Sequence, residues 1–269
     1  MNERPSLAAT IMTFNEEENI QACLDSVSSW VDEIIVLDSF STDATEEICR
    51  RNPKVKFSQH GFDGFAQQAN RAMDMCTTEW ILAIDADERV TPQLRDSILD
   101  FLKNSADTIA AKFPRLTYHM HRYIRHGGWY PNARYRLFKK GSAYWGGQNP
   151  HHHLIISGKG VSLKGDLLHY SVKDLSDQIN TVNRFSSIAA LERYNEEKKF
   201  RLVRMLWKPP VKFVELYVWK SGWRDGMQGF VIAVSSSFST FLKEAKLYEL
   251  DVLKSDKPSN LSDLYQKRR

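Results

Sequence analysis

The stretch Trp80-Ile81-Leu82-Ala83-Ile84-Asp85-Ala86-Asp87-Glu88 decides the fold. Its apolar run reads as a buried strand, and the carboxyl end of that strand carries two aspartates one residue apart. What precedes it says which kind of sheet the strand belongs to.

Leu7 to Phe14 reads as another buried strand. It ends at Asn15, which suits a helix N-cap, with Glu16, Glu17 and Glu18 placed for a first helical turn. Ile20, Cys23, Leu24 and Val27 then recur at helical spacing. Glu33 to Leu37 is a second strand ending in Asp38, and the loop from Ser39 to Asp43 leads into a helix containing Ile48. Lys54 to Phe57 is a short third strand, and Phe65 to Met75 a helix. After Glu88, Thr91-Pro92 opens a further helix, with proline where the first turn tolerates it. This β-α-β-α order implies a mainly parallel sheet covered by helices, with ligands at the carboxyl ends of the strands. Asn15-Glu16, Asp38 and Asp85/Asp87 all fall at such ends. Each alone is more often a helix cap, but three at one edge mark a binding crevice. Neither GxGxxG after the first strand nor GxxxxGK[ST] occurs, so a dinucleotide-binding Rossmann domain is disfavoured and a P-loop is excluded.

The 269 residues are 42% hydrophobic and 26% charged, which is the composition of a globular chain with a real core. Cys23, Cys49 and Cys76 form no CxxC pair, which disfavours a cysteine zinc site and fits a reducing compartment. Met1 to Pro5 lacks the basic and apolar regions of a signal peptide. No apolar run approaches the roughly 18 residues of a membrane span. The expected location is therefore cytoplasmic. Charge is split along the chain: residues 1–110 carry 9 Lys/Arg against 20 Asp/Glu, and the rest 28 against 13. The acidic first part argues against long nucleic acid there. The basic second part suits anionic lipid, a phosphorylated acceptor or nucleic acid.

From residue 111 the pattern changes. Phe113 to Tyr123 is strand-like, and Arg125 to Gly147 is rich in glycine, aromatic and basic residues. Residues 151–170 read as short strands, residues 175–205 as a long helix broken after it by Lys208-Pro209-Pro210, and residues 211–248 as two more helices.

Asp85-Ala86-Asp87 can share a hard divalent ion, or divide between a ribose and the ion. Mg2+ or Mn2+ prefers oxygen ligands and leaves positions open for phosphate. Such an ion stabilises the charge that develops on a departing diphosphate.

Taken in order, Thr13-Phe14-Asn15-Glu16, Val36 to Asp43, Asn70-Arg71-Ala72 and Ile84 to Glu88 resemble the family 2 glycosyltransferases of GT-A fold. Arg134-Tyr135-Arg136-Leu137-Phe138, Gly146-Gly147, His151 to Leu154 and Leu168-His169-Tyr170-Ser171 resemble the branch containing the lipopolysaccharide-core beta-glucosyltransferases. The resemblance implies an α/β GT-A fold, with a mainly parallel sheet flanked by helices and a C-terminal helical extension. It places a catalytic domain at 1–174, with a nucleotide-sugar half at 1–110 and an acceptor half at 111–174. Residues 175–269 are expected to be a helical region that packs on the catalytic domain, associates with a membrane surface, or does both. It implies that Thr13, Asn15 and Glu16 line the nucleotide pocket and that Asp38 accepts a hydrogen bond from uracil. Asn70 or Arg71 would lie near the nucleotide. Asp85 would hold ribose or metal-bound water, Asp87 would ligate the metal, and His169 would be a further ligand. Arg134 and Arg136 would reach the pyrophosphate as forked donors, or form a solvated strand face.

Relatives of this branch carry a His-Glu pair where this chain has Gln148-Asn149-Pro150-His151-His152-His153. The Glu resembles the base that takes the acceptor proton, and His152 occupies its register, with His151 beside it. Histidine can serve as that base, since its reference pKa of roughly 6.5 is near working pH. Binding a metal, or loss of turnover, are the other readings. Zinc held with His119 and His121 is weaker, because adjacent strand residues face opposite ways.

The expected activity is inverting, metal-dependent transfer of a hexose, glucose by the resemblance. The donor is a UDP-sugar and the acceptor a lipid-linked glycan or oligosaccharide. The cofactor is Mg2+ or Mn2+, a further partner is an anionic membrane surface, and nucleic acid is not a partner. The rivals are a non-catalytic nucleotide-sugar-binding or membrane-adaptor protein, and a nucleotidyltransferase. In the basic C-terminal part, Phe200, Val203, Leu206 and Trp207 share a helical face among Arg201, Arg204 and Lys208. That face reads as helix packing, as an interfacial surface, or as both.

Overall fold

In the computed structural model, which describes residues 4–105, 107–147 and 153–254, the early strands are apolar at nearly every position because both of their faces are covered. The elements run β1 (Leu7–Thr13), α1 (Ile20–Val27), β2 (Glu33–Asp38), α2 (Thr45–Arg50), β3 (Val55–Gln59), α3 (Phe65–Asp74), β4 (Trp80–Asp85), β5 (Glu88–Val90) and α4 (Pro92–Lys103). They continue through β6 (Ala110–Phe113), β7 (Arg115–His119), β8 (Arg122–Tyr123), β9 (Arg134–Lys139), β10 (Ala143–Gly146), β11 (His153–Ile156), β12 (Gly160–Ser162) and β13 (Leu167–His169). Three helices follow: α5 (Leu175–Asn195), α6 (Leu202–Val214) and α7 (Gly226–Asp251). A π turn, Glu215–Trp219, and a 3-10 turn, Gly222–Asp225, lie between α6 and α7.

The chain divides into two compact units. The first comprises residues 1–116 and 132–170. Its seven-stranded sheet has the order β12-β6-β9-β4-β1-β2-β3. β1 pairs in parallel with β2 and β4, β2 with β3, and β12 with β6, while β9 is antiparallel to both β4 and β6. Alternation along the strands builds the two faces. Ile11, Ile34 and Leu82 pack with Leu24 of α1 and Ile98 of α4. Ala8, Ile35 and Ile81 pack with Ala69 of α3, Phe138 and Trp145 on the other face. Each aliphatic side chain buried this way contributes about 1.5–3 kcal/mol.

The second unit comprises residues 117–131 and 171–269. Asp174 caps α5, accepting from the Asp177 backbone N–H at 2.7 Å. Ile188, Ala190 and Leu191 of α5 are buried, and Ala190 and Leu191 pack with Leu250 of α7. Glu244, buried on α7, pairs with Arg193 at 3.0 Å and with Lys208 of α6 at 3.1 Å. The buried carboxylate of Asp225 accepts from the backbone N–H groups of Arg125 and His126, tying segment 117–131 to the 3-10 turn. α7 passes so close to that turn that a Cβ on Gly229 would stand 1.9 Å from the Gly222 carbonyl oxygen.

Three local expectations change. Asn15 is not an N-cap: it sits in the left-handed region at φ 52°, and the helix starts at Ile20 behind Asn19. Asparagine bears that conformation more readily than most residues, and here its side chain is held by the Thr42 N–H of the neighbouring loop. The long helix at 175–205 ends at Asn195, and a separate helix begins at Leu202. Pro209 and Pro210 do not break α6, which runs through them. The two prolines remove N–H donors, yet Ser237 Oγ of α7 donates to the Pro209 carbonyl at 2.6 Å, and packing against α7 holds the helix.

Candidate active site

The site grows from strand register. β1 lies between β2 and β4, with Thr13 opposite Asp38 and Met12 opposite Asp85. The carboxyl ends of these strands therefore meet where the chain turns from one side of β1 to the other, the switch point at which open α/β sheets bind ligands. The polar residues expected at strand ends are brought together there.

Asp85 closes β4. Its Oδ2 accepts from Arg136 Nη2 of the neighbouring antiparallel strand β9 at 2.7 Å. Glu88, fully buried, lies beside both: its Oε2 accepts from the Asp85 backbone N–H at 2.9 Å and its Oε1 from Arg136 at 3.3 Å. Arg115 stands 3.4 Å from Glu88. Burial pushes the Asp85 carboxyl up, but the Arg136 charge and hydrogen bond win, so it stays well below the usual carboxylate range. Glu88 goes the other way, raised by burial despite Arg136. Among the roles read from sequence, that of Glu88 was missed. Its position directly after Asp87 was the available signal.

Asp87 follows in the turn between β4 and β5. Its carbonyl accepts from the Tyr170 N–H at 2.9 Å, and its Oδ2 lies 3.5 Å from His169 Nε2. β13 pairs with β5, placing His169 opposite Glu88, which delivers the imidazole to Asp87 from 82 residues further along the chain. Burial, then the Arg115 charge, pushes the His169 pKa down to about 3, so the ring is neutral and can offer a lone pair. Arg89 stacks over the Tyr170 ring at 3.8 Å and fixes the start of the next segment.

At the end of β1, Asn15 donates its backbone N–H to Ser41 Oγ at 2.8 Å, and its Oδ1 accepts from the Thr42 N–H at 2.8 Å. The Glu16 N–H donates to Thr45 Oγ1 at 2.9 Å, so two strand-end loops are knitted together. Thr13 is buried, and its hydroxyl has no hydrogen-bond partner among the described residues. Asp38 is fully buried: its carboxylate accepts from the Ser41 N–H at 2.8 Å, the Ser41 hydroxyl and Gln59 Nε2 at 3.1 Å. Here Asp38 holds the loop that meets Asn15.

Asn70 and Arg71 are engaged elsewhere in the first unit. Asn70 exchanges two hydrogen bonds with the Trp145 backbone, at 2.9 and 2.8 Å. Arg71 pairs with Asp63 at 2.8 Å. Arg134 is exposed on β9, two residues from Arg136. His151 and His152 lie outside the described residues. Among the described residues no cluster of three His, Cys, Asp or Glu side chains forms a metal cage.

The strand-end Asp-x-Asp turn, with Arg136 paired to it, stands at the switch point of an open α/β sheet, where such folds bind their ligands. The chain belongs to glycosyl transferase family 2, which it matches over residues 9–158. It is a glycosyltransferase of GT-A fold. It is 29% identical to the lipopolysaccharide core biosynthesis glycosyltransferase LpsC of Rhizobium meliloti, over 92% of this chain and 94% of that protein. It is 31% identical to an uncharacterized glycosyltransferase of Rickettsia felis, over 90% and 89%. Among solved structures, glucosyl-3-phosphoglycerate synthase of Mycobacterium tuberculosis, bound to Mn2+, UDP and glucosyl-3-phosphoglycerate, is 22% identical. That match covers 42% of this chain and 44% of the other at a TM-score of 0.37, too loose to assign it anything.

Proposed function

We propose that this enzyme transfers a hexose, glucose by its resemblance to the lipopolysaccharide-core branch, from a UDP-sugar to a lipid-linked core glycan, with inversion at the anomeric carbon. The observation that carries the proposal is the 3.5 Å approach of Asp87 to a neutral His169 at the switch point, beside the Asp85–Arg136 pair. The relationship to LpsC over nearly the whole chain supports a core-glycan acceptor.

An oxygen donor on Asp87 and an uncharged ring nitrogen on His169 suit Mg2+ or Mn2+, with remaining positions left to phosphate and water. Bound there, the ion would supply positive charge beside the diphosphate. The protein's own groups do the rest. Thr13, Asn15 and Glu16 form the wall of the nucleotide pocket, and Asp38 positions that wall through Ser41. Asp85, kept ionised by Arg136, accepts from ribose hydroxyls. The exposed Arg134 reaches the diphosphate as a forked donor, while Arg136 neutralises Asp85 and Glu88. The acceptor hydroxyl attacks the anomeric carbon opposite UDP. The bond to the diphosphate oxygen breaks with its electron pair, and the acceptor proton passes to a base. His152 is assigned as that base on its sequence register alone.

The test is UDP release across a panel of UDP-sugars, with and without Mn2+ and a core-glycan acceptor, alongside Asp87→Ala and His152→Ala. Metal-dependent, acceptor-stimulated release with one sugar, lost in both variants, is expected. Binding of UDP-sugar without any turnover would favour a non-catalytic binding protein.

A further inference from the structure

The helical unit carries an apolar surface that its own helices leave bare. Along α6 and the π turn, Val203, Trp207, Val211, Val214 and Val218 recur at helical spacing and are all exposed. Along α7, Met227, Phe230, Val234, Phe238 and Phe241 do the same. The two stripes adjoin: the Phe230 ring lies 5.8 Å from Phe213 and 5.7 Å from Tyr217, and Pro209, Phe213 and Phe238 line one groove. Residues 226–242 contain no charged side chain. Scattered exposed apolar residues need no explanation, but a contiguous face this size marks an interaction site.

The border of the face says what covers it. Residues 200–225 hold six Lys/Arg and two acids. Lys208, Lys212 and Lys220 are paired with Glu244 and Glu215. Arg201, Arg204 and Arg224 have no carboxylate partner among the described residues. Trp207, Trp219 and Trp223 stand 49%, 69% and 57% exposed beside them. Apolar residues flanked by tryptophan and unpaired arginine match the layering of a phospholipid headgroup region. A second copy of the chain fits poorly, because a two-fold contact would set like-charged arginines against one another. No described helix is long and apolar enough to cross a membrane, so the face would lie on the bilayer.

We propose that the α6–α7 face is a monotopic docking surface for an anionic phospholipid bilayer, with its apolar stripes in the interfacial layer and Arg201, Arg204 and Arg224 at lipid phosphates. In purpose it rests on the reading that the acceptor is lipid-linked, but lipid binding is measured without any sugar. Each unpaired basic residue near such a surface strengthens partitioning about fivefold, so three together contribute roughly a hundredfold.

The test is co-sedimentation of the full chain with phosphatidylcholine vesicles, with or without phosphatidylglycerol, at low and high salt. Binding is expected to the phosphatidylglycerol vesicles, weakened by salt, with a blue shift in tryptophan emission. The combined variant Arg201→Ser, Arg204→Ser and Arg224→Ser should lose about a hundredfold, and Trp219→Ser with Met227→Ser should lose binding at an unchanged thermal midpoint. Equal binding by wild type and both variants, or none to either vesicle, would overturn the proposal. So would self-association abolished by Trp219→Ser with Met227→Ser in the absence of vesicle binding. Lipid-free UDP release reports separately on glycosyl transfer, so failure of one reading leaves the other standing.

Discussion

Arg136 on β9 and Asp85 on β4 form a 2.7 Å ion pair across neighbouring strands, and the fully buried Glu88 accepts from the same guanidinium at 3.3 Å. One cation thus serves two carboxylates, one opening to the site and one sealed beneath it. The Asp85 carboxylate can stay ionised at the crevice because Glu88 holds Arg136 in place.

Arg136→Ala should therefore act as more than a lost contact. It leaves the buried Glu88 with only Arg115, 3.4 Å away, and takes the guanidinium from Asp85, so unfolding free energy should fall by about 3 kcal/mol in chemical denaturation. Adding Glu88→Gln should recover roughly 1 kcal/mol or more, since the two groups are coupled. Strict additivity of the two losses would show that Glu88 is supported from elsewhere.

Much of this arrangement was legible in the sequence because it follows from local pattern. The apolar runs at Leu7, Glu33 and Trp80 gave the parallel strands, and Thr91-Pro92 gave the start of α4, where Thr91 caps the Leu94 N–H at 3.3 Å. The meeting of Asp87 with His169 was anticipated only through a family resemblance, since no local rule joins residues 82 positions apart. Side-chain commitments were less legible. Asn70 was expected near the nucleotide through the family resemblance, and only the fold brings the Trp145 backbone to it. The same holds at Pro209-Pro210, where a strong local stop signal is outweighed by packing on α7.

Asp87→Asn should separate metal binding from folding. The amide keeps the size of the side chain but not its charge, so the thermal midpoint should move little. Mn2+ binding by calorimetry should weaken at least about tenfold, and metal-stimulated UDP release should fall by a hundredfold or more, as expected when several kcal/mol of charge stabilisation is lost. Removing metal with a chelator should bring wild type to the level of the variant. Wild-type metal affinity in Asp87→Asn would move the site away from this turn.

Asn70→Ala tests whether that amide holds the fold or the nucleotide. Its two hydrogen bonds to the Trp145 backbone, one donated and one accepted, would both be lost. The expected result is a loss of about 1–3 kcal/mol of stability with the KM for donor nearly unchanged. A raised KM at unaltered stability would instead place Asn70 at the nucleotide.

His169 gives a signature in pH. Burial, followed by the Arg115 charge, holds its folded-state pKa at about 3, whereas the unfolded chain titrates near the ordinary histidine value of about 6.5. Between these values the unfolded state carries a proton that the folded state refuses. Stability therefore falls as pH drops through about 6.5 towards 3, at up to about 1.4 kcal/mol per pH unit, and this contribution is intact above the unfolded value. His169→Gln removes the group, so its stability curve should be flatter. Measured by denaturation between about pH 6.5 and 5, above most carboxylate titration, wild type should lose roughly 1.5 kcal/mol more than the variant. Added Mn2+ should steepen the wild-type dependence, because protons and metal compete for the same ring nitrogen, and should do so much less in the variant, which keeps only the Asp87 carboxylate. Parallel curves for the two proteins would mean that His169 titrates in the folded chain as it does in the unfolded one, which would overturn the burial of its ring.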